Sequence, residues 1–161
     1  MAVIKGASVT FTASDDTAVA RLQEIASGQG LDTTTLMKRL GTYFEESTHR
    51  RFDSTQTDPQ GEKWKPLSPG YIKRKKKNED RILWLNSYLR NSVHMDEPTR
   101  DTVVWGSNSV YAAIHNLGGN GTGKNGSMPQ RQFLGISAAD EAEALDIARD
   151  WLHRKIHGLP D

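Results

Sequence analysis

Five consecutive cations, Lys73-Arg74-Lys75-Lys76-Lys77, interrupt the middle of the chain. Such a run repels itself and resists burial, so it belongs on an exposed loop or helix face. A core must then be assembled from the segments on either side of it. The run also concentrates a charge that the whole chain lacks. Lys63 to Arg90 holds nine basic and two acidic residues, a net of +7. Met1 to Glu62 and Ser137 to Asp161 each carry −3, and the full chain only +1. That total does not indicate a globally basic nucleic-acid binder. The basic block reads as a solvated face, or as a surface for an acidic partner, protein or nucleic acid.

A length of 161 residues fits one domain spanning 1–161, without room for two lobes and a cleft between them. With 35% hydrophobic residues and a mean hydropathy of −0.66, long solvated loops are expected, or a fold completed by neighbouring subunits. Zero cysteines exclude disulfides, thiolate catalysis and Cys-ligated zinc, and fit folding in a reducing cytosol. No apolar run approaches the length of a membrane span, and the opening MAVIKGASVTF lacks the layout of a secretory signal. The expected setting is the cytosol, with no membrane partner.

Val9 and Phe11 alternate with Ser8, Thr10 and Thr12, the pattern of a half-buried strand. Ser14-Asp15-Asp16 offers a helix start, with Ala18, Leu22, Ile25 and Ala26 at helical spacing and Gly28 and Gly30 ending the segment. Asp32 caps a second helix with Leu36, Leu40, Tyr43 and Phe44 on one face, reaching Arg51 or Phe52. Residues 53–67 carry turn chemistry without periodicity and read as a loop. Trp64 within it is either a plug in the chain's own core or an anchor in a partner. Ser68-Pro69 starts a short helix that runs into the basic block. Asp80 opens a further helix with Ile82, Leu85 and Leu89 on one stripe, beside Trp84 and Tyr88. Residues 92–96 and 102–106 pair as an antiparallel hairpin around Glu97-Pro98-Thr99-Arg100, and a short helix follows over 109–117. Ser137-x-x-Asp140 resembles a capping box for a last helix bearing Leu145, Ala148, Leu152 and Ile156.

Catalytic chemistry is poorly supported. Gly118-x-x-x-x-Gly123-Lys124 approaches a phosphate-binding loop, but Asn125 stands where Mg²⁺ needs a hydroxyl, and no buried strand precedes it. His153 and His157 share a helix face, yet Arg154 and Lys155 oppose a metal cation there. His115 lacks a Ser or Asp partner at a recognisable spacing, and a structural hydrogen bond from its ring is the plainer reading. No paired-carboxylate motif is legible. The chain is therefore read as non-enzymatic, with no cofactor and no metal.

Four ordered blocks carry a likeness. They are Asp58-Pro59-x-Gly61-x-x-Trp64-x-Pro66-Leu67-Ser68, and Ile82-Leu83 through Leu89-Arg90-x-Ser92. Trp105-Gly106-Ser107 with Tyr111-Ala112-Ala113-Ile114-His115-Asn116-Leu117-Gly118-Gly119 is the third. Met128-Pro129-x-Arg131-x-Phe133-Leu134-Gly135-Ile136-Ser137 is the fourth. Across about residues 32–157 this order resembles the phage virion morphogenesis family, the Mu-like G proteins and tail completion S proteins of myophages. Gln132 and Tyr88 depart from residues common there, Pro and Gly, without removing a charged group. The resemblance implies a structural subunit of the virion, acting at the head–tail neck or the tail terminus. Such proteins are small α+β subunits assembled as rings, partnered by themselves and by neck, connector and tail tube proteins.

The expected fold is α+β, a small antiparallel sheet flanked by N-terminal and C-terminal helices. Flexible loops are expected at about 53–67, 73–79 and 118–127, ordering only against neighbours. The basic middle and acidic ends supply the unlike patches a ring needs. Interface candidates are Trp64, Lys73, Arg74, Lys75, Lys76, Lys77, His115 and Arg131. The basic run is expected to face a neighbouring subunit's acids or DNA in the channel. Arg131 is expected to form a salt bridge between or within subunits, and Phe133 and Leu134 to be core. The alternative is a nucleic-acid-binding module using the 73–77 segment with Trp84 and Tyr88.

Overall fold

The computed structural model describes residues 7–12, 32–119, 127–157 and 159–160. The helix expected over 14–28 and the glycine-rich stretch 120–126 lie outside the described residues. Within them the architecture is α+β. Strand β1 (Ala7–Thr12) pairs antiparallel with β3 (Thr102–Ser107), which pairs antiparallel with β2 (Val93–Met95). The order is therefore β1-β3-β2, with Val9 opposite Trp105 and Met95 opposite the same residue on the other edge. The hairpin expected around 97–100 forms β2 and β3.

Helix α1 (Thr34–Arg50) covers this sheet with Leu36, Met37, Leu40 and Phe44 buried. Asp32 accepts the Thr34 amide at 2.9 Å, taking one of the donors that a helix start leaves unpaired. Phe44 stacks on Trp105 at 4.7 Å between centroids, and the Trp105 indole donates to Thr48 Oγ1 at 3.2 Å. Gly41 lets the helix approach: a Cβ there would collide with Met95 and Val103. Beyond Arg50 the chain widens into a π turn, Arg51–Thr55, that ends at Gln56 in the left-handed region. Short helices α2 (Pro69–Ile72), α3 (Tyr88–Asn91) and α4 (Ala112–Leu117) follow, and α5 (Ala138–Ile156) packs on α1. The capping box at the start of α5 is as expected, with Ser137 and Asp140 bonding each other's amides.

The widened turn delivers Arg51 to the centre of the molecule. Its guanidinium meets the Asp140 carboxylate at 2.6 Å, with both side chains under a tenth exposed. Burial works against the Arg51 charge and lowers its pKa, and Asp140 opposes that shift. Burial likewise opposes the carboxylate. Hydrogen bonds from Ser47 and Ser137 and the Arg51 charge outweigh it, holding Asp140 below the usual carboxyl range. Tyr43 donates to the same carboxylate at 3.0 Å, and its phenol is pushed up to about 12 by burial and by that acceptor.

One expected helix does not form. Residues 80–87 are irregular, and only Tyr88–Asn91 turns helically. Asn78, Leu83 and Ser87 are left-handed, which no continuous helix tolerates. The backbone is served by side chains instead. Lys75 Nζ donates to the carbonyls of Asn78 and Arg81, Asn78 Nδ2 to Leu85 O, and the Ile82 amide bonds Gln56 Oε1.

Removing the Asp140 charge should be costly, because it leaves a buried guanidinium uncompensated. Asp140→Asn is expected to lower unfolding stability by about 3–5 kcal/mol in urea titration. The double variant Arg51→Met with Asp140→Leu should stay destabilised, since Arg51 also serves the carbonyls of Phe133 and Gly135. Because the Asp140 pKa is depressed on folding, its contribution is complete above about pH 4 and is lost as pH falls through the folded value. Wild type should therefore lose more stability than Asp140→Asn on acidification below about pH 4.

Candidate interaction cleft

Beyond the single bridge of Met128 to Gly119, the segment after the glycine-rich stretch joins no strand ladder. Buried amides and carbonyls must still be paired. Asn116 Oδ1, at the end of α4, accepts both the Phe133 and Leu134 amides at 3.0 and 2.9 Å. The Trp64 indole donates to Gln132 O at 2.8 Å, Arg51 Nη1 to Phe133 O and Gly135 O, and Gln132 Nε2 to Leu134 O. Phe133 and Leu134 are thereby fully buried, as expected.

Trp64 is placed in the core rather than on a partner. It is 3% exposed and packs edge-on against Phe52, whose ring in turn meets Phe133. The loop that carries it is tied within the chain, correcting the expectation that 53–67 orders only in an assembly. Asp58 Oδ1 accepts the amides of Gln60 and Glu62, and the Trp64 amide donates to Gln56 O.

Arg131 is also buried, and it forms no salt bridge within the described chain. Its Nε and Nη2 donate to Lys65 O and Pro66 O at 2.8 and 3.2 Å, clamping the Trp64 loop to the 131–137 segment. Burial lowers its pKa, with Tyr71 opposing. A planar fork meeting two successive carbonyls suits Arg, and the irregular backbone it clamps gives no sequence signal.

The basic run divides. Lys73, Arg74, Lys76 and Lys77 are exposed, but Lys75 is only 5% exposed and bonds two carbonyls. Its burial corrects the expectation that the whole run stays solvated. Desolvation lowers the Lys75 pKa, while Asp80 and Glu79 oppose. The local cause is the chain reversal after Lys77, which wraps carbonyls around one ammonium. His115 is half-buried, with its Nδ1 unpaired among the described residues. Burial, then the Arg131 charge, lowers its pKa.

These elements enclose a cleft of about 860 Å³. Its walls come from the 65–75 stretch, the irregular 83–86 stretch with the start of α3, α4 and residues 127–131. Tyr71, Leu85, Tyr88, Tyr111 and Met128 line it and remain exposed, Tyr88 by 69%. Lys65 and Arg74 stand exposed among the lining residues, and none of the described lining residues is acidic. Arg81 lies over the face of Trp84 at 4.0 Å, so that ring is already stacked. Sequence reasoning missed the cleft itself. Its apolar members are scattered singly over 60 residues, and only the fold gathers them.

The His153 and His157 rings lie 4.4 Å apart, tilted by 51°, and among the described residues no group of three His, Cys, Asp or Glu could hold a metal. No helix among the described residues is long and apolar enough to cross a membrane.

Comparison with known proteins agrees on one family. A model of the phage virion morphogenesis family matches residues 14–153. Over 56 residues the chain is 38% identical to Mu-like prophage FluMu G protein 2 of Haemophilus influenzae (strain ATCC 51907 / DSM 11121 / KW20 / Rd). That stretch is 34% of this chain, and the chain spans 41% of that relative. No solved structure matches.

The division of the basic run is directly testable. Replacing Lys73, Lys76 and Lys77 together by Gln should leave the thermal transition unchanged. Lys75→Ala should lower stability by about 1–3 kcal/mol, because two carbonyls lose a charged donor. Equal effects of the two variants would contradict the placement of Lys75.

Proposed function

Because this chain belongs to the phage virion morphogenesis family, we propose that it is a non-enzymatic subunit that forms a ring at the head–tail neck or the tail terminus. The role in phage virion assembly is the family's, and the match over 14–153 carries it. The ring and its position are our reading. Its partners would be further copies of itself and the connector or tail tube proteins it caps. DNA in the channel would meet it through salt-screened contacts with exposed lysines.

Three observations support a structural rather than chemical role. The most deeply buried ionisable groups described, Arg51, Asp140, Lys75 and Arg131, are each spent on backbone or on one another. Five of the ten exposed large apolar side chains among the described residues line one cleft, as interaction surfaces do. A ring joins copies through unlike patches, and charge is segregated along the sequence into a basic middle and acidic ends.

The test is genetic and visual. Phage carrying an early stop in this gene should yield DNA-filled heads and tails that fail to join, or tails with aberrant ends, by electron microscopy. Supplying the wild-type protein in trans should restore infectious particles. Tailed, infectious particles at wild-type yield without the protein would refute the reading.

A further inference from the structure

Two guanidiniums are buried to the same degree, Arg51 and Arg131, each 6% exposed. Each donates to two backbone carbonyls, Arg51 to Phe133 O and Gly135 O, and Arg131 to Lys65 O and Pro66 O. Arg51 has a third partner, the Asp140 carboxylate at 2.6 Å, which offsets its charge. Arg131 lacks one. Its Nε and Nη2 are engaged, while its Nη1 has no acceptor and its charge no carboxylate partner among the described residues. Carbonyls pair the donors but leave the net charge, and a buried charge without a counter-charge is costly.

Arg131 lines the cleft, and its amide is tied to α4 by a 2.8 Å bond to His115 O. The other lining residues include Lys65, Arg74 and Lys75 and, among those described, no Asp or Glu. His115 is kept neutral at about pH 7, because burial and then the Arg131 charge lower its pKa. We propose that the cleft receives an acidic segment of a partner protein, its Asp or Glu carboxylate meeting Arg131 Nη1 while its apolar neighbours pack on Tyr71, Tyr88 and Met128. The carboxylate supplies the counter-charge that Arg131 lacks, as Asp140 does for Arg51, and leaves both carbonyl bonds in place. Lys65 and Arg74, exposed in the same cleft, draw an acid toward it. The site stands whether or not copies of the chain form a ring.

Single-stranded nucleic acid is the weaker occupant. It needs free aromatic faces and a line of available cations. Here Trp84 is covered by Arg81, Lys75 binds carbonyls, and the cation without a counter-charge is recessed rather than set along the surface. A single carboxylate on a short side chain suits a recessed fork better than a continuous phosphate backbone does.

Capped, fluorescent hexapeptides, each with one Glu set among Leu, Phe and Tyr, test the site against the same peptides carrying Gln, by anisotropy with the full chain. The Glu peptides should bind about tenfold or more tightly than their Gln counterparts, the difference made by a charged hydrogen-bond partner. Arg131→Lys keeps the charge but loses the fork, and should remove most of that preference. Tyr88→Ala should weaken both sets. Because Arg131 also clamps the Trp64 loop, a readout on the unaltered protein stands beside these variants. With arginine isotope-labelled at its guanidinium nitrogens, the Arg131 side-chain resonances should shift on adding a Glu peptide and stay in place with its Gln counterpart. Equal affinity for the two sets, or no binding by either, would overturn the proposal. So would Glu binding that leaves the Arg131 resonances unmoved, since Lys65 and Arg74 would then read the acid at the surface. A labelled oligothymidine that displaces the Glu peptides and moves the same resonances would overturn it in favour of nucleic acid. None of these results bears on the role in virion assembly, which the particle phenotype decides.

Discussion

One buried ion pair organises the molecule. Arg51, at the end of α1, binds Asp140, at the start of α5, and the carbonyls of Phe133 and Gly135 between them. Three stretches distant in the chain are held by one guanidinium. The attraction between the two charges alone adds little net stability, because both lose their water, and a hydrophobic substitute would lack the bonds of Arg51 to the two carbonyls. What it supplies is register. Asp140 accepts from Ser47, Tyr43 and Ser137 as well, so α5 has one seat on α1 and the 131–137 segment one path across the core.

Around this centre, side chains repeatedly replace backbone ladders. Asn116, Trp64, Arg51 and Gln132 pair with the amides and carbonyls of 132–135. Lys75, Asn78 and Gln56 do the same for 78–85. Irregular backbone can be buried only on these terms. The consequence is a surface that neither a helix nor a strand would provide. Residues 83–89 and 127–131 bend around Tyr71, Tyr88 and Tyr111, and the cleft is the space they leave. Left-handed Leu83 and Ser87 sit at its rim, where backbone strain is held by surrounding bonds.

The blocks that resemble the virion morphogenesis family are, in large part, this scaffold. Trp64, Arg90, Trp105, Asn116, Arg131 and Phe133 are packed or bonded within the chain. The blocks that carry the resemblance therefore report how the chain is built. Trp64 and Arg131 looked like interface residues because large aromatics and arginines serve both purposes. Burial decides the matter for Trp64, whereas Arg131 is buried and also lines the cleft.

Several elements were legible in the residues alone. Helix periodicity marked α1, alternation with an intervening turn marked the β2–β3 hairpin, and Ser137 with Asp140 announced the start of α5. These are local patterns whose physics operates within a few residues, and the segregation of charge along the chain was readable in the same way. The cleft, the burial of Lys75, the Arg131 clamp and the Arg51–Asp140 pair were not. Each depends on which distant carbonyl or carboxylate a side chain meets, and residue spacing carries no record of that. Apolar spacing over 80–89 even pointed to a helix, and tertiary hydrogen bonds to Lys75 and Gln56 overrode it. By itself, then, the order of residues determined the elements and the charge each would carry. Only the folded chain decided which charges are spent inside and which are left on the surface, because that depends on partners brought together across the sequence.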